Sequence, residues 1–265
     1  MELRDAVGTF HLPVQGPARI VCLVPSITEL VCDLGLSAQL VGRTGFCIHP
    51  REMVRGIPKV GGTKTVDADR IRALRPTHVI LNIDENEQPV AEALADFVPN
   101  LIVTHPMSPL DNLALYRLIG GIFNRSAEAE ALCSRFQAAY DEVSRETHWP
   151  RKALYVIWKD PWMTISRDTY IARTLALAGL ETLPEVALTR YPEFLPGEAW
   201  AADVDVVLLS TEPYMFRQRH VAEVAALSPF TGKPVLLIDG EMTSWYGSRA
   251  IEGLAYLREF RRSIA

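Results

Sequence analysis

The densest run of chemically capable side chains in the first half of the chain is residues 45–50, where Phe46, Cys47 and His49 bring together an aromatic ring, a thiol and an imidazole. A thiolate and a neutral imidazole are donors that hold transition metals, so Cys47 and His49 are candidate metal ligands. A Cys-x-His pair is still two ligands short of a structural zinc site. Phe46 reads as the wall of a pocket. Gly61-Gly62-Thr63-Lys64-Thr65 looks superficially like a phosphate loop, but Thr63 separates Gly62 from Lys64 and the GxxxxGK[ST] spacing is missing, which excludes a nucleotide site there. Glu85 sits in a polar cluster with Asn82, Asp84 and Asn86 at the end of an apolar run, where it could act as acid, base or ligand.

The second half concentrates aromatic residues: Trp158, Trp162, Tyr170, Tyr191, Phe194, Tyr214, Phe216, Trp245 and Tyr246. Several lie in loops beside Pro, Asp, Ser or Arg instead of at core periodicity, so they are not all buried filler. As a set they point to a wide apolar wall for a large planar ligand, and Trp158, Trp162, Tyr191, Tyr214, Trp245 and Tyr246 are its candidate residues. Arg249 could pair with a carboxylate or amide of that ligand, or serve the helix that follows. The patterns GxSxG, HExxH, GxGxxG and Walker A are all absent, and no catalytic residue is assigned.

The elements that must position these residues follow from periodicity. An apolar β-rich run at 19–24 is broken by Pro25-Ser26 before Ile27, Leu30, Val31 and Leu34 take up helical spacing. Ser26 and Glu29 make an S-x-x-E capping box on paper, and Gly35 stands where a helix C-cap belongs. Strands are expected at 40–44, 77–83 and 100–104, with helices at 67–75, 88–97 and 109–123, preceded by an extended arm or edge hairpin over 2–18. Strand–helix alternation of this kind gives a mostly parallel sheet with right-handed crossovers, and ligands gather at the carboxyl ends of its strands.

Residues 126–147 contain neither Gly nor Pro, and Leu132, Phe136, Tyr140 and Val143 share one face of the helix this predicts, with Ser126 as N-cap. A helix of that length spans roughly 33 Å, enough to bridge two lobes. Beyond it the grammar repeats. A strand at 153–158 leads through an aromatic loop to Asp168 as N-cap and a helix ending in Leu177-Ala178-Gly179-Leu180, which echoes Asp33-Leu34-Gly35-Leu36. Asp69 on a short helix before one strand is matched by Glu198 before the strand at 204–210. A further strand at 234–239 precedes a helix at 250–262 whose Leu254, Leu257 and Phe260 face inward. The expected fold is α/β: two similar lobes, 1–125 and 149–265, with mostly parallel sheets, joined by a backbone helix at 126–148, and a cleft between the lobes.

Composition sets the outer bounds. The chain has 265 residues, 48% of them hydrophobic, with a net charge of -5, and its scattered Lys and Arg argue against a nucleic-acid surface. No run is apolar and long enough for membrane insertion, and the acidic N-terminus lacks the plan of a signal peptide, so the chain as written is expected in the cytoplasm, or in the periplasm if it has been trimmed. The four cysteines show neither CxxC spacing nor framework density, which fits reduced thiols.

With these residues in view, RIVCLVPSITELVCDLGLSAQLVGRTGFCIHP, then VGGTKTVDADRIRALRPTHVIL, then the long helix resemble the vitamin B12 and ferric-siderophore class of ABC-transporter substrate-binding proteins, the helical-backbone metal receptor superfamily. The resemblance spans nearly the whole chain and is nearest to the cobalamin-binding members. It implies no intrinsic cofactor, no catalysis, and a metal chelate such as cobalamin held between the lobes by Phe46, Cys47, His49, Thr63, Glu85, Trp158, Trp162, Tyr191, Tyr214, Trp245, Tyr246 and Arg249. Thr63 departs from the aromatic found near that position in cobalamin receptors. The resemblance also implies that Asp69 and Glu198 dock an ABC permease if the protein is exported. A ferric-siderophore or haem-type chelate, served by a basic cleft drawn from Arg43, Lys64, Lys159, Arg167, Arg217 and Arg249, is the alternative ligand class. A cytoplasmic enzyme acting on a metal complex is the alternative activity.

Overall fold

A computed structural model describes residues 2–264. The chain divides into two compact units. The first takes the chain up to Pro106, Leu110–Phe136 and Tyr246–Arg249; the second takes Met107–Pro109, Gln137–Trp245 and the chain from Ala250 on.

In the order of the chain, the first stretch folds as β1 (Ile20–Cys22), α1 (Pro25–Asp33), a 3-10 turn (Ser37–Gln39), β2 (Leu40–Arg43), α2 (Arg51–Val54), α3 (Ala68–Ala73), β3 (His78–Asn82), α4 (Gln88–Ala95), β4 (Asn100–Thr104), α5 (Asp111–Ile122) and α6 (Ser126–Ser144). The rest gives β5 (Arg151–Val156), α7 (Tyr170–Ala176), β6 (Leu180–Thr182), a 3-10 turn (Ala199–Asp203), β7 (Val206–Ser210), α8 (Gln218–Ala225), β8 (Val235–Ile238), α9 (Gly240–Ser244) and α10 (Arg249–Ser263).

Each unit has its own four-stranded sheet, in the order β2-β1-β3-β4 in one and β6-β5-β7-β8 in the other, with every pairing parallel. The orders are the same once the strands of each unit are counted from one, so the repeat in sequence is a repeat in topology. Central strands of a parallel sheet are covered on both faces and must be apolar throughout. β5 and β7 obey this with two sets of side chains. Ala153, Tyr155, Val206 and Leu208 pack with Leu175 of α7 and Leu257 of α10, while Leu154, Val156, Val207 and Leu209 pack with Val224 of α8 and Phe230. In the first unit Val21 and Leu23 join Val79, Leu81, Ile71 and Leu94 in one core.

Helix ends agree with the sequence where glycine decides them. Gly35 takes φ +74°, the Leu36 N–H reaches the Val31 carbonyl and the Gly35 N–H reaches Cys32, so α1 ends in a Schellman motif; Gly179, its counterpart, takes φ +67°. Helix starts are less obedient. α1 begins at Pro25, whose missing N–H costs nothing in the first turn, so Val24 is the N-cap and Ser26, buried inside the helix, caps nothing. The expected capping box is therefore absent, and Glu29 is used elsewhere. α7 is capped by Thr169, whose hydroxyl accepts from the Ala172 N–H, while the neighbouring Asp168 pairs with Arg173. Ser126 is the first helical residue of α6, one position inside the expected cap. Along α6, Leu132, Phe136 and Val143 are buried as its periodicity requires. Its residues through Phe136 count with the first unit and those from Gln137 with the second.

Candidate functional site

In the first unit, the chain after β2 turns through Phe46 and, past α2, comes alongside β2 in the same direction, since the Arg43 N–H bonds the Pro58 carbonyl and the Val60 N–H bonds the Arg43 carbonyl. This brings residues 61–63 to the carboxyl end of the sheet, the edge where open α/β folds hold ligands. Phe46 is 64% exposed there, so its ring stands open to solvent at that edge. The Asn86 amide holds the Thr63 carbonyl at 2.9 Å, fixing half-buried Thr63 beside the β3 loop. In that loop the Tyr246 hydroxyl donates to Glu85 Oε1 at 2.6 Å, and His105 lies 3.4 Å from Asp84. Burial, with the Glu85 charge beside it, pushes the Tyr246 phenol well above its ordinary value.

The same edge of the second unit is aromatic. Trp158, 39% exposed, meets Tyr214 edge-on at 5.5 Å, and Tyr214 packs on Phe216 at 4.6 Å. Trp162 lies parallel to Phe216 at 6.3 Å and leans on the core between β5, β7 and α8, so it backs this wall from behind. Half-buried Tyr191 has the Arg190 guanidinium over its ring. The hydroxyl of Ser210, the last residue of β7, donates to the Glu212 carbonyl and bends the chain so that Glu212 lies beside α9. There the Trp245 indole N–H donates to Glu212 Oε1, and the Ser244 hydroxyl donates to the same oxygen at 3.3 Å. Burial, with Glu241 and Asp239 nearby, pushes the Glu212 carboxyl up to about 7.

Trp245 and Tyr246, adjacent in sequence, thus hold corresponding carboxylates: Glu212 after β7 in one unit and Glu85 after β3 in the other. Glu212 was absent from the residues expected at the site. The signal that could have found it is its position two residues past an apolar strand, parallel to that of Glu85.

Two expected ligand contacts, Cys47 and Arg249, have other duties. Cys47 has no exposed surface; its sulfur lies 3.1 Å from Thr44 Oγ1 and 3.9 Å from the Cys22 carbonyl, and burial raises its thiol. A thiol held this way is packing, and thiolate formation, which metal binding needs, is disfavoured. His49 is half-buried on the same loop. Among the described residues no group of three His, Cys, Asp or Glu could hold a metal ion. Arg249 donates from Nε and Nη2 to the two oxygens of Glu29, at 2.8 and 2.7 Å, with both side chains largely buried. Of the expected basic set, three more are similarly committed: Arg43 is buried and donates to the Val54 and Thr44 carbonyls, Lys159 pairs with Glu223, and Arg167 pairs with Glu181 and Glu185. Asp69 is exposed in the first turn of α3, and Glu198, also exposed, accepts from the Leu195 N–H and the Trp200 indole.

A family model described as periplasmic binding protein matches residues 20–229. The chain belongs to the periplasmic binding protein family. Its curated relatives include the vitamin B12-binding protein of Pectobacterium atrosepticum, 23% identical over 184 residues that make up 67% of this chain and 66% of the relative's length. The vitamin B12-binding protein of Yersinia pestis is 25% identical over 219 residues, 76% of each chain. Among solved structures, the periplasmic vitamin B12-binding protein of Vibrio cholerae superimposes with a TM-score of 0.78 at 16% identity, over 93% of this chain and 98% of its own. A periplasmic heme-binding protein from Pseudomonas aeruginosa superimposes equally well, 0.78 at 20% identity over 94% of each chain. These likenesses establish the two-sheet α/β fold of this periplasmic binding protein. The expected cytoplasmic location finds no support in a family so described, and among the described residues no helix is long and apolar enough to cross a membrane.

Proposed function

We propose that this periplasmic binding protein is a non-catalytic receptor for a cobalamin-type metal chelate, with the corrinoid as its ligand and no cofactor of its own. The observation that carries this reading is the aromatic surface left uncovered at the carboxyl ends of the strands, Phe46 in the first unit and Trp158 with Tyr214 in the second. A corrin is large, flat and apolar on its faces and carries amides around its rim. Exposed rings suit the faces, and carboxylates such as Glu85 and Glu212 accept from the rim amides. The vitamin B12-binding relatives support the same ligand class. Asp69 and Glu198, each just ahead of a central strand, are the residues that would dock an ABC permease outside the cytoplasm, and α6, within residues 126–148, serves as the backbone between lobes 1–125 and 149–265.

All five tryptophans lie in the second unit and Trp158 stands in its aromatic wall, so emission reports on that unit. Titration with aquocobalamin should quench it saturably, with haemin and a ferric siderophore as comparison ligands. A folded sample that neither quenches nor retains corrinoid on dialysis refutes the reading.

A further inference from the structure

Glu212, at the carboxyl edge of the second sheet, takes its hydrogen bonds from the uncharged donors Trp245 and Ser244. Among the described residues no Lys, Arg or His approaches it within ion-pairing distance. The titratable groups near it are Asp239 between β8 and α9, Glu241 in the first turn of α9, Tyr155 from β5 and, bonded at the Asp239 N–H, Tyr256 from α10. Every one is acidic or neutral. Tyr155 is tied to Ser210 at 3.0 Å and to Thr243 at 2.7 Å, so the floor beneath the carboxylate is fully hydrogen-bonded and supplies no positive charge.

We infer that Glu212, which has no cation of its own and has Asp239 nearby, sets the ligand's charge class: it admits chelates whose rim carries neutral amides or positive charge and rejects those whose rim carries carboxylates. The inference rests on the chelate-binding reading above and deepens it, because a corrinoid and a haem share a flat metal-bearing macrocycle and differ in this respect. An amide N–H arriving at Glu212 gains a charge-assisted hydrogen bond. A carboxylate arriving there meets like charge in a partly desolvated site, where repulsion is screened far less than in water. Because burial holds the Glu212 carboxyl up to about 7, the selection has a pH course: it is strongest above neutrality and relaxes as Glu212 takes up a proton.

The test compares cyanocobalamin with its monocarboxylic acid derivatives, in which one rim amide is hydrolysed, by equilibrium dialysis at pH 6 and pH 8. The wild-type protein should prefer the parent at least tenfold at pH 8 and less at pH 6. In Glu212→Gln, which keeps the size of the side chain and an acceptor for Trp245, the ratio of the two Kd values should fall toward one at both pH values. Glu212→Asp should retain part of the preference. Near-UV circular dichroism confirms that each variant is folded. A ratio unchanged by Glu212→Gln overturns the inference and leaves the receptor reading standing, whereas wild-type protein that binds haemin more tightly than cobalamin at pH 8 overturns the inference and the corrinoid reading together. Failure to bind any of these chelates overturns the receptor reading and the inference with it.

Discussion

Replacing Arg249 with Met should destabilise the protein without acting through the ligand. Arg249 and Glu29 are 220 positions apart in sequence, bond through two parallel N–H···O contacts, and have side chains 10% and 14% exposed. Removing one member of a buried pair leaves the other charged and poorly solvated, at a cost of about 3–5 kcal/mol. The residual exposure places Arg249→Met near about 3 kcal/mol. Burial is the dominant effect on Glu29 and raises its carboxyl, against the opposing pull of Arg249. A carboxyl raised on folding lends stability below its unfolded value, about 4.3, and loses it as pH climbs through the folded value. Deleting Arg249 enlarges that loss, so the deficit should be full at pH 7 and shrink toward pH 4. The double variant Arg249→Met, Glu29→Leu should recover part of it, giving a coupling of about 2 kcal/mol in a double-mutant cycle. Urea unfolding followed by far-UV circular dichroism is the assay, because tryptophan emission reports only the second unit. A single-variant cost below about 1 kcal/mol, or a double variant equal to the sum of the singles, would refute the account.

Glu212 makes a second pH prediction. Its rise from 4.5 to about 7 means that stability falls as pH increases through that window, by at most about 3 kcal/mol at 1.36 kcal/mol per unit, and Glu212→Gln should flatten the profile in urea melts read by fluorescence. Tyr155→Phe should cost about 1–3 kcal/mol in the same melts, since it strips a partner from the buried hydroxyls of Ser210 and Thr243. Asp67→Ala removes the acceptor for the Arg70 N–H at the start of α3 and should cost about 1 kcal/mol by thermal melting. The four thiols, all free and buried, should react with a disulfide reagent only as the native protein opens, so urea should accelerate the reaction; prompt labelling of Cys47 in the native state would contradict its packing role.

The sheets were legible in the sequence because parallel strands buried on both faces write themselves as short apolar runs, and the strand at Asn100–Thr104 was placed to the residue. The internal repeat was legible too, through the two glycines that end α1 and precede β6. Three-residue β6 and the helix at Gln218–Ala225 escaped, the first for want of length and the second because much of its surface is polar. Helix starts misled wherever two capping-type residues adjoined, as at Asp168 and Thr169, since the choice between them is made by Arg173 from the next turn. At the site, the exposed Phe46, Trp158 and Tyr214 could be read from loop aromatics. The burial of Cys47 and the capture of Arg249 could not, because both depend on what lies opposite in space: Thr44 for one, Glu29 for the other.

Residues 246–249 join the first unit although the chain on either side belongs to the second. Tyr246 bonds Glu85, the Gly247 N–H and carbonyl meet Asn112 and Tyr116, and Arg249 meets Glu29. On the ribosome, the first unit therefore waits for nearly the whole polypeptide before these four acceptors and donors find their mates. A gene fragment stopped after residue 136 would encode its sheet but leave that seam open. The boundary between the units is not a place where this protein can be cut and have its first half finished.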